Sequence, residues 1–268
     1  MPEPLESLDW QGQPIDCTHC KHAGMLASGG CKPLYACVQD RYAKRIDRFF
    51  AVHPALAQEY LAHPYFEVRA VATKYVDVFQ LSRLRNDPDE TVRSMVVLRL
   101  PQRQLLEMRN DPDREVRIRV AARVEPHELQ PMMHDEDYFV RTVVARRLRQ
   151  SMLVLMMHDP DSSVRCEVAQ RLDQNMLPAM SRDPDCMVRL AVVRHLQPQH
   201  LPAMRDDEDW RVRYEVAQRI DISYLNELAR DEDEMVHEMA LMRLLEISMQ
   251  KSASTNAESA NGRIYGKN

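Results

Sequence analysis

The chain has 268 residues, 44% of them hydrophobic and 29% charged, with only 6 Gly, which supplies enough apolar side chain for a substantial core and points to helices rather than strands and turns. Its 36 basic and 41 acidic residues give a net charge of −5 and are mixed along the sequence, which argues against a chain-wide field drawing in nucleic acid. No stretch approaches the roughly 18 apolar residues of a membrane span, so a membrane protein is not expected.

Residues 1–16 read as an acidic, proline-containing arm. The opening MPEPLESLDW lacks the apolar run of a secretory signal. A cytoplasmic location is the expectation, a compartment where clustered thiols bind metal more often than they pair as disulfides.

Residues 17–50 hold four of the six cysteines, in CTHCKHAGMLASGGCKPLYAC. Cys17, Cys20, Cys31 and Cys37 have the spacing C-x2-C-x10-C-x5-C. The first pair can grip a metal from one turn, and Gly24, Gly29 and Gly30 let the backbone fold back to deliver the second pair. A closed set of four thiolates suits either tetrahedral Zn²⁺ or an iron–sulfur cluster, and the residues alone leave both open. Two features lean towards a cluster: the glycines can offer amides to its sulfurs, and Lys21, Lys32, Arg41, Lys44, Arg45 and Arg48 can offset its negative charge. The amphipathic VQDRYAKRIDRFF that follows is expected to form a capping helix for what comes next.

From residue 51 to 250 the sequence repeats. Val followed by a basic residue recurs every 24 residues, at Val68-Arg69, Val92-Arg93, Val116-Arg117, Val140-Arg141, Val164-Arg165, Val188-Arg189, Val212-Arg213 and Val236-His237. Five positions before each Val stands Asp, from Asp87 to Asp231, with His63 in the first unit; Pro often follows, as at Pro88, Pro112, Pro160 and Pro184. This reads as a helix start, with the Asp as N-cap and Pro at the first helical position. Apolar residues at the Val, four and eight residues later, as in Val92, Val96 and Leu100, make one face of a helix of about 12 residues. A second apolar pair follows, as in Leu105 and Met108 or Leu201 and Met204, in segments interrupted by Pro126, Pro178, Pro198 and Pro202. A short helix, of 3₁₀ type, fits these better than a second α-helix. One such unit cannot bury its stripe alone, so the expectation is an all-α solenoid of stacked units.

The regular columns read as structure. The Arg after each Val, and the second basic column at Arg99, Arg123, Arg147, Arg171, His195, Arg219 and Arg243, could line a groove for phosphates. The equally regular Asp columns favour a ladder of internal ion pairs instead. Met108, Met132, Met156, Met180 and Met204 share their position with Leu84 and Leu228 and, with the neighbouring Met133 and Met157, read as core rather than as metal ligands. Cys166 and Cys186 read as half-buried structural thiols. At the two positions before the Val most units are polar, but Tyr138, Phe139, Met187 and Trp210 break the rule, which makes them candidate contacts for a protein partner. No nucleophile elbow, phosphate loop or carboxylate pair outside the repeat is visible, so catalysis is not expected. Residues 251–268 are polar and are expected to be a disordered tail.

The DPDxxVRxxVA pattern at 24-residue steps, as in DPDETVRSMVV, DPDREVRIRVA and DPDSSVRCEVA, together with an N-terminal four-cysteine module, resembles the leucine-rich repeat variant (LRV) proteins of nitrogen-fixing bacteria over most of residues 17–250. The resemblance implies a right-handed superhelix of alternating α- and 3₁₀-helices and a [4Fe–4S] cluster on Cys17, Cys20, Cys31 and Cys37. It implies a non-enzymatic scaffold for protein interaction, electron transfer or redox sensing, auxiliary to nitrogen fixation. A zinc-stabilised interaction protein is the alternative, and a nucleic-acid-binding repeat protein a more distant one.

Overall fold

The 24-residue register becomes a longer helix and a shorter one per repeat in the computed structural model, which describes residues 7–262, with side chains described over 7–250. The chain divides into two units, Met1–Val144 and Ala145–Asn268. Among the described residues there is no strand, only isolated bridges Leu8 to Pro14, Asp9 to Asp40 and Lys32 to Ala36.

In the first unit the longer helices are Ala43–Val52, Phe66–Ala72, Glu90–Val97 and Arg114–Arg123. In the second they are Ser162–Arg171, Cys186–His195, Trp210–Arg219 and Glu234–Gly262. Between them in sequence lies Tyr138–Arg147. Typical repeat helices span ten residues, shorter than the twelve expected. The tail expected to be disordered from residue 251 continues the last helix to Gly262; residues 263–268 lie outside the described residues.

The short segments are 3₁₀-helices at Gln130–His134, Gln150–Met156, Leu177–Met180 and Pro198–Met204. Val78–Leu81 and Gln102–Leu105 are single α-turns that tighten into 3₁₀ turns, and Ile222–Leu228 is an α-helix. Ile222–Leu228 has no proline and an Asp221 cap, so nothing blocks its i to i−4 bonds. Proline is not the whole cause elsewhere, since Gln150–Met156 is 3₁₀ without one.

Both apolar sets are buried as the period requires. Val92, Val96, Leu105, Val116 and Leu129 in the first unit, and Val164, Leu177, Val188, Leu201 and Val212 in the second, are fully enclosed. Each such side chain contributes about 1.5–3 kcal/mol. The methionines of the short segments, Met108, Met132, Met133, Met156, Met157, Met180 and Met204, are buried beside them.

The helix cap is not the aspartate that the register suggested. The second Asp of DPD caps: Asp89, Asp161, Asp185 and Asp209 accept from the amide two residues on, and Asp113 from Val116. Pro therefore precedes the cap rather than sitting at the first helical position. The first Asp turns the chain into the cap, as where Asp87 accepts from the Asp89 amide at 3.0 Å. Its carboxylate is otherwise committed to the Arg of the preceding repeat. Arg69 Nε and Nη2 grip Asp87 at 2.8 and 2.7 Å, and Arg93–Asp111 and Arg117–Asp135 repeat the fork. The second unit has the same contact at Arg165–Asp183, Arg189–Asp207 and Arg213–Asp231. Each Arg also donates Nη1 to the carbonyls of its own turn, as Arg93 does to Asp87 and Pro88.

The second basic column closes helix C-termini. Arg219 donates to the carbonyls of Val193, Arg194 and Leu196, and Arg243 to those of Ala217 and Ile220, one repeat back. In the first unit Arg99 reaches Thr73 and Arg123 reaches Val97 and Leu100. These are the carbonyls that a helix end leaves without partners. The charge ladder also explains His63. Eighteen residues before it stands Arg45, which is turned instead to the buried Asp40 at 2.9 Å, so no guanidinium reaches His63 from the preceding turn. Burial depresses the His63 pKa, and its neutral Nδ1 accepts from the Tyr65 amide at 3.1 Å, the turn-forming role that Asp87 plays one repeat later.

Candidate metal centre

The four-cysteine segment shares none of the repeat register, and local turns build it. Asp16 accepts from the Thr18 hydroxyl and amide at 2.5 and 2.8 Å and meets His19 Nδ1 at 2.6 Å. The Thr18 hydroxyl, then His19, hold its carboxyl well below the usual carboxylate range. This turn sets out Cys17 and Cys20, and the His22 amide points at Cys20 Sγ from 3.4 Å. A short helix, Ala23–Ala27, follows and ends at Gly29 and Gly30. Gly29 has φ +74°, a conformation that L side chains rarely adopt. A Cβ on Gly30 would lie 2.9 Å from His53 Nε2, which bonds the Gly30 carbonyl at 2.7 Å. A side chain at Gly30 would crowd the His53 ring, so glycine suits the close approach of the loop before Cys31 to the end of helix Ala43–Val52.

Cys31 and Cys37 flank a tight hairpin, with Lys32 and Ala36 exchanging amide bonds at 2.8 Å. The Cys37 amide is fixed on the Arg45 carbonyl at 3.1 Å, which anchors the fourth cysteine to the start of helix Ala43–Val52. Cys17, Cys20 and Cys31 are half-buried, and Cys37 is buried. All six cysteines are free thiols.

Burial dominates the electrostatics of the third and fourth thiols. Burial raises the Cys31 pKa, and charge on Cys20 and Cys17 raises it further. Burial pushes the Cys37 thiol up to about 11 against the lowering effect of the Gln39 amide, with Asp40 and Cys20 adding to the rise. Among the described residues, no three His, Cys, Asp or Glu side chains converge on the position of a single metal ion. The donor set of four thiols fits a thiophilic, positively charged centre, which would replace their protons on binding.

The residues around the thiols include several that the sequence did not single out. His22 is buried, its Nε2 shares a 2.5 Å hydrogen bond with the Tyr60 hydroxyl, and its ring packs on Phe49 at 5.1 Å. Burial raises the Tyr60 pKa to about 12, with Cys20 adding to it. Phe49, Phe50, His53, Tyr60 and His22 form one aromatic cluster beneath the segment. Asp40 is fully buried, pairs with Arg45 and accepts from the Tyr42 amide at 3.0 Å. A carboxylate five residues before an arginine was the available signal. The arm joins in as well: Asp9 bridges to Asp40, and Trp10 stacks on Tyr65 at 5.8 Å. The holding contacts therefore run from Asp9 to Tyr65, well beyond 17–50.

Not all six expected cations remain available. Lys21 pairs with Glu59 and Arg45 with Asp40. Lys32, Arg41, Lys44 and Arg48 have no carboxylate partner among the described residues; Arg41 and Arg48 lie over the rings of Tyr42 and Tyr35.

On the repeats, Tyr138 and Phe139 in the first unit are 43% and 37% exposed, and Met187 and Trp210 in the second 51% and 42%. Cys166 is half-buried with its pKa raised to about 11, chiefly by burial, and Cys186 accepts from Arg211 Nη2 at 3.4 Å. No helix among the described residues is long and apolar enough to cross a membrane.

Residues 7–59 match the protein family described as "LRV protein FeS4 cluster". A solved structure described as a leucine-rich repeat variant with a novel repetitive protein structural motif superposes with a TM-score of 0.82 at 39% identity, over 85% of this chain and 97% of that one. An uncharacterized 27.7 kDa protein in the nifB 3′ region of Rhodobacter capsulatus is 52% identical over 101 residues, 38% of this chain; the match spans 41% of that relative's length.

Proposed function

The chain belongs to the leucine-rich repeat variant family, an all-α repeat solenoid with an iron–sulfur module at its N-terminus, and from that premise we propose that Cys17, Cys20, Cys31 and Cys37 ligate a [4Fe–4S] cluster. The observation that carries this reading is the coincidence of the family match over 7–59 with four free cysteines inside it, set on one turn and one tight hairpin between Cys17 and Cys37. When bound, the cluster supplies one-electron chemistry at a potential set by its burial and its hydrogen bonds. The chain's own residues do the rest. The His22 amide offers a hydrogen bond to the Cys20 sulfur, and Cys37 and the aromatic cluster keep water from one side.

We further propose that the protein is a cytoplasmic, non-catalytic scaffold serving electron transfer or redox sensing in nitrogen fixation. The placement of a relative in a nifB 3′ region supports that setting. A protein partner docks on the repeats through Tyr138, Phe139, Met187 and Trp210, not nucleic acid, since the Arg columns are spent on Asp carboxylates and helix carbonyls. Electron paramagnetic resonance of the anaerobically isolated, dithionite-reduced protein tests the cluster type. The spectrum of a reduced [4Fe–4S] centre is expected, and its loss in Cys37→Ser with the helical circular dichroism kept. A silent, colourless protein holding zinc would refute the reading.

A further inference from the structure

The four-cysteine segment is basic within an acidic chain. Cys17 to His53 contains six basic residues and two acids, a balance of +4; the remainder has 30 basic and 39 acidic, a balance of −9. Two of the six cations are neutralised within the fold by Glu59 and Asp40. The acid on helix Ala43–Val52, Asp47, is turned to Lys74 and Tyr75 at 3.0 Å, away from the cysteines' hairpin. What is left is a cationic surface without carboxylates of its own, with Lys44 and Arg48 one helical turn apart on a single face.

The hairpin between Cys31 and Cys37 stands on that surface. Leu34 at its tip has φ +63°, the non-glycine residue with a left-handed backbone among the described residues. A Gly at this position would be free of strain, so a leucine held there is an outlier that asks for a use. The conformation presents Leu34 and Tyr35 outward, 37% and 56% exposed, and Arg48 lies 4.4 Å over the Tyr35 ring while donating to the Tyr35 carbonyl. An exposed aliphatic and aromatic pair with an arginine stacked on it is the composition of a protein-binding hot spot.

We propose that Leu34 and Tyr35, with Lys32, Lys44 and Arg48 around them, form the docking surface for a small, acidic one-electron carrier protein. The occupant follows from charge and place. The surface is positive in a chain whose remainder is net negative, which steers an anionic protein towards this end. Its apolar tip lies within three residues of both Cys31 and Cys37, which puts a docked carrier beside the thiols. One electron then passes from the reduced carrier, oxidised by one, to the centre that the cysteines hold, reduced by one, and no bond is made or broken.

The test is calorimetric titration of the anaerobically isolated full chain with an oxidised plant-type [2Fe–2S] ferredoxin, a strongly acidic carrier, at low and at physiological salt. Binding is expected to weaken about tenfold on raising the salt, and at least about tenfold in Lys32→Glu/Arg48→Glu. Tyr35→Ala, which keeps every charge, is expected to lose about tenfold as well, while Arg103→Glu on an exposed repeat position binds as wild type. Circular dichroism of each variant confirms the repeats. No ferredoxin binding by wild type, equal binding by both hairpin variants, or tighter binding of phosphatidylglycerol vesicles or duplex DNA than of ferredoxin would overturn the proposal. It rests on the iron–sulfur reading, so iron and sulfide are measured on the same samples. A wild type that binds ferredoxin but holds zinc sinks that reading and supports the docking surface; a brown wild type that ignores ferredoxin does the opposite.

Discussion

Replacing Arg93 with Met tests the charge ladder at an enclosed rung. Arg93 Nε and Nη2 hold the Asp111 carboxylate at 2.8 and 2.9 Å, and Nη1 donates to the carbonyls of Asp87 and Pro88 at 2.8 and 3.2 Å. The two side chains are 10% and 5% exposed, so water replaces little of what is lost. Removing one partner of a buried pair costs about 3–5 kcal/mol, because the other charge is left without compensation. The carbonyl contacts add on the order of 1 kcal/mol, offset in part by the apolar packing of Met. We expect about 4 kcal/mol, a large share of the 5–15 kcal/mol typical of a domain. Asp111→Asn should cost about 2 kcal/mol, since an amide oxygen still accepts from the Asp113 amide as Asp111 does at 2.9 Å. The double variant should cost less than the sum by about 1–3 kcal/mol. Urea unfolding followed by circular dichroism gives the totals. Native-state hydrogen exchange should show Glu90–Val97 and Arg114–Arg123 losing protection first, as a nearest-neighbour stack requires. A loss under about 1 kcal/mol in Arg93→Met, or full additivity, would refute the account of the ladder.

Gly30→Ala drives a methyl into His53 and breaks its bond to the Gly30 carbonyl, so iron content should fall severalfold while the helical signal persists; unchanged iron would show that this approach is dispensable. Asp231 is pulled below the ordinary carboxylate range: burial acts to raise its pKa, but hydrogen bonds from Arg213 and the Asp233 amide and the Arg213 charge outweigh it. Its stabilisation is therefore present above the unfolded pKa of about 3.9 and is lost as pH falls through the lower folded value. Asp231→Asn should accordingly be less stable at neutral pH and show a shallower loss of stability below about pH 4 than wild type, and parallel acid-unfolding curves would contradict this. Tyr138→Ser, Phe139→Ser and Trp210→Ser combined should shift the melting temperature by only a few degrees, within about 1 kcal/mol of wild type, because these side chains are about two-fifths exposed. Collapse of the helical signal would make them packing residues rather than partner contacts.

The repeat was legible because its physics is periodic. A Val every 24 residues with partners at four and eight can only be a stacked helical face, and the buried Val92, Val96 and Leu105 follow from it. The ion-pair reading holds in both units for the Arg that follows each repeat Val. The cap was misplaced by two residues because both aspartates of DPD are good caps by type. Only the reach of Arg69 to Asp87 reveals which carboxylate is already engaged. The second basic column looked like a charge run, yet its work is done on backbone carbonyls, which have no signature in the sequence. The cysteine segment was legible in its donors and not in its support. His22, Asp40, His53 and Tyr60 occur once each, without a period, and their roles come from contacts as distant in sequence as His22 to Tyr60.

Metal and sulfide analysis of protein isolated without oxygen, with the visible spectrum of the same sample, tests most directly the claim that Cys17, Cys20, Cys31 and Cys37 hold an iron–sulfur centre apart from the repeats. Brown protein with iron and acid-labile sulfide in equal amounts is predicted, with both lost in Cys17→Ser while the repeats stay helical. Colourless protein carrying one zinc per chain, or a Cys17→Ser variant that unfolds throughout, would contradict it.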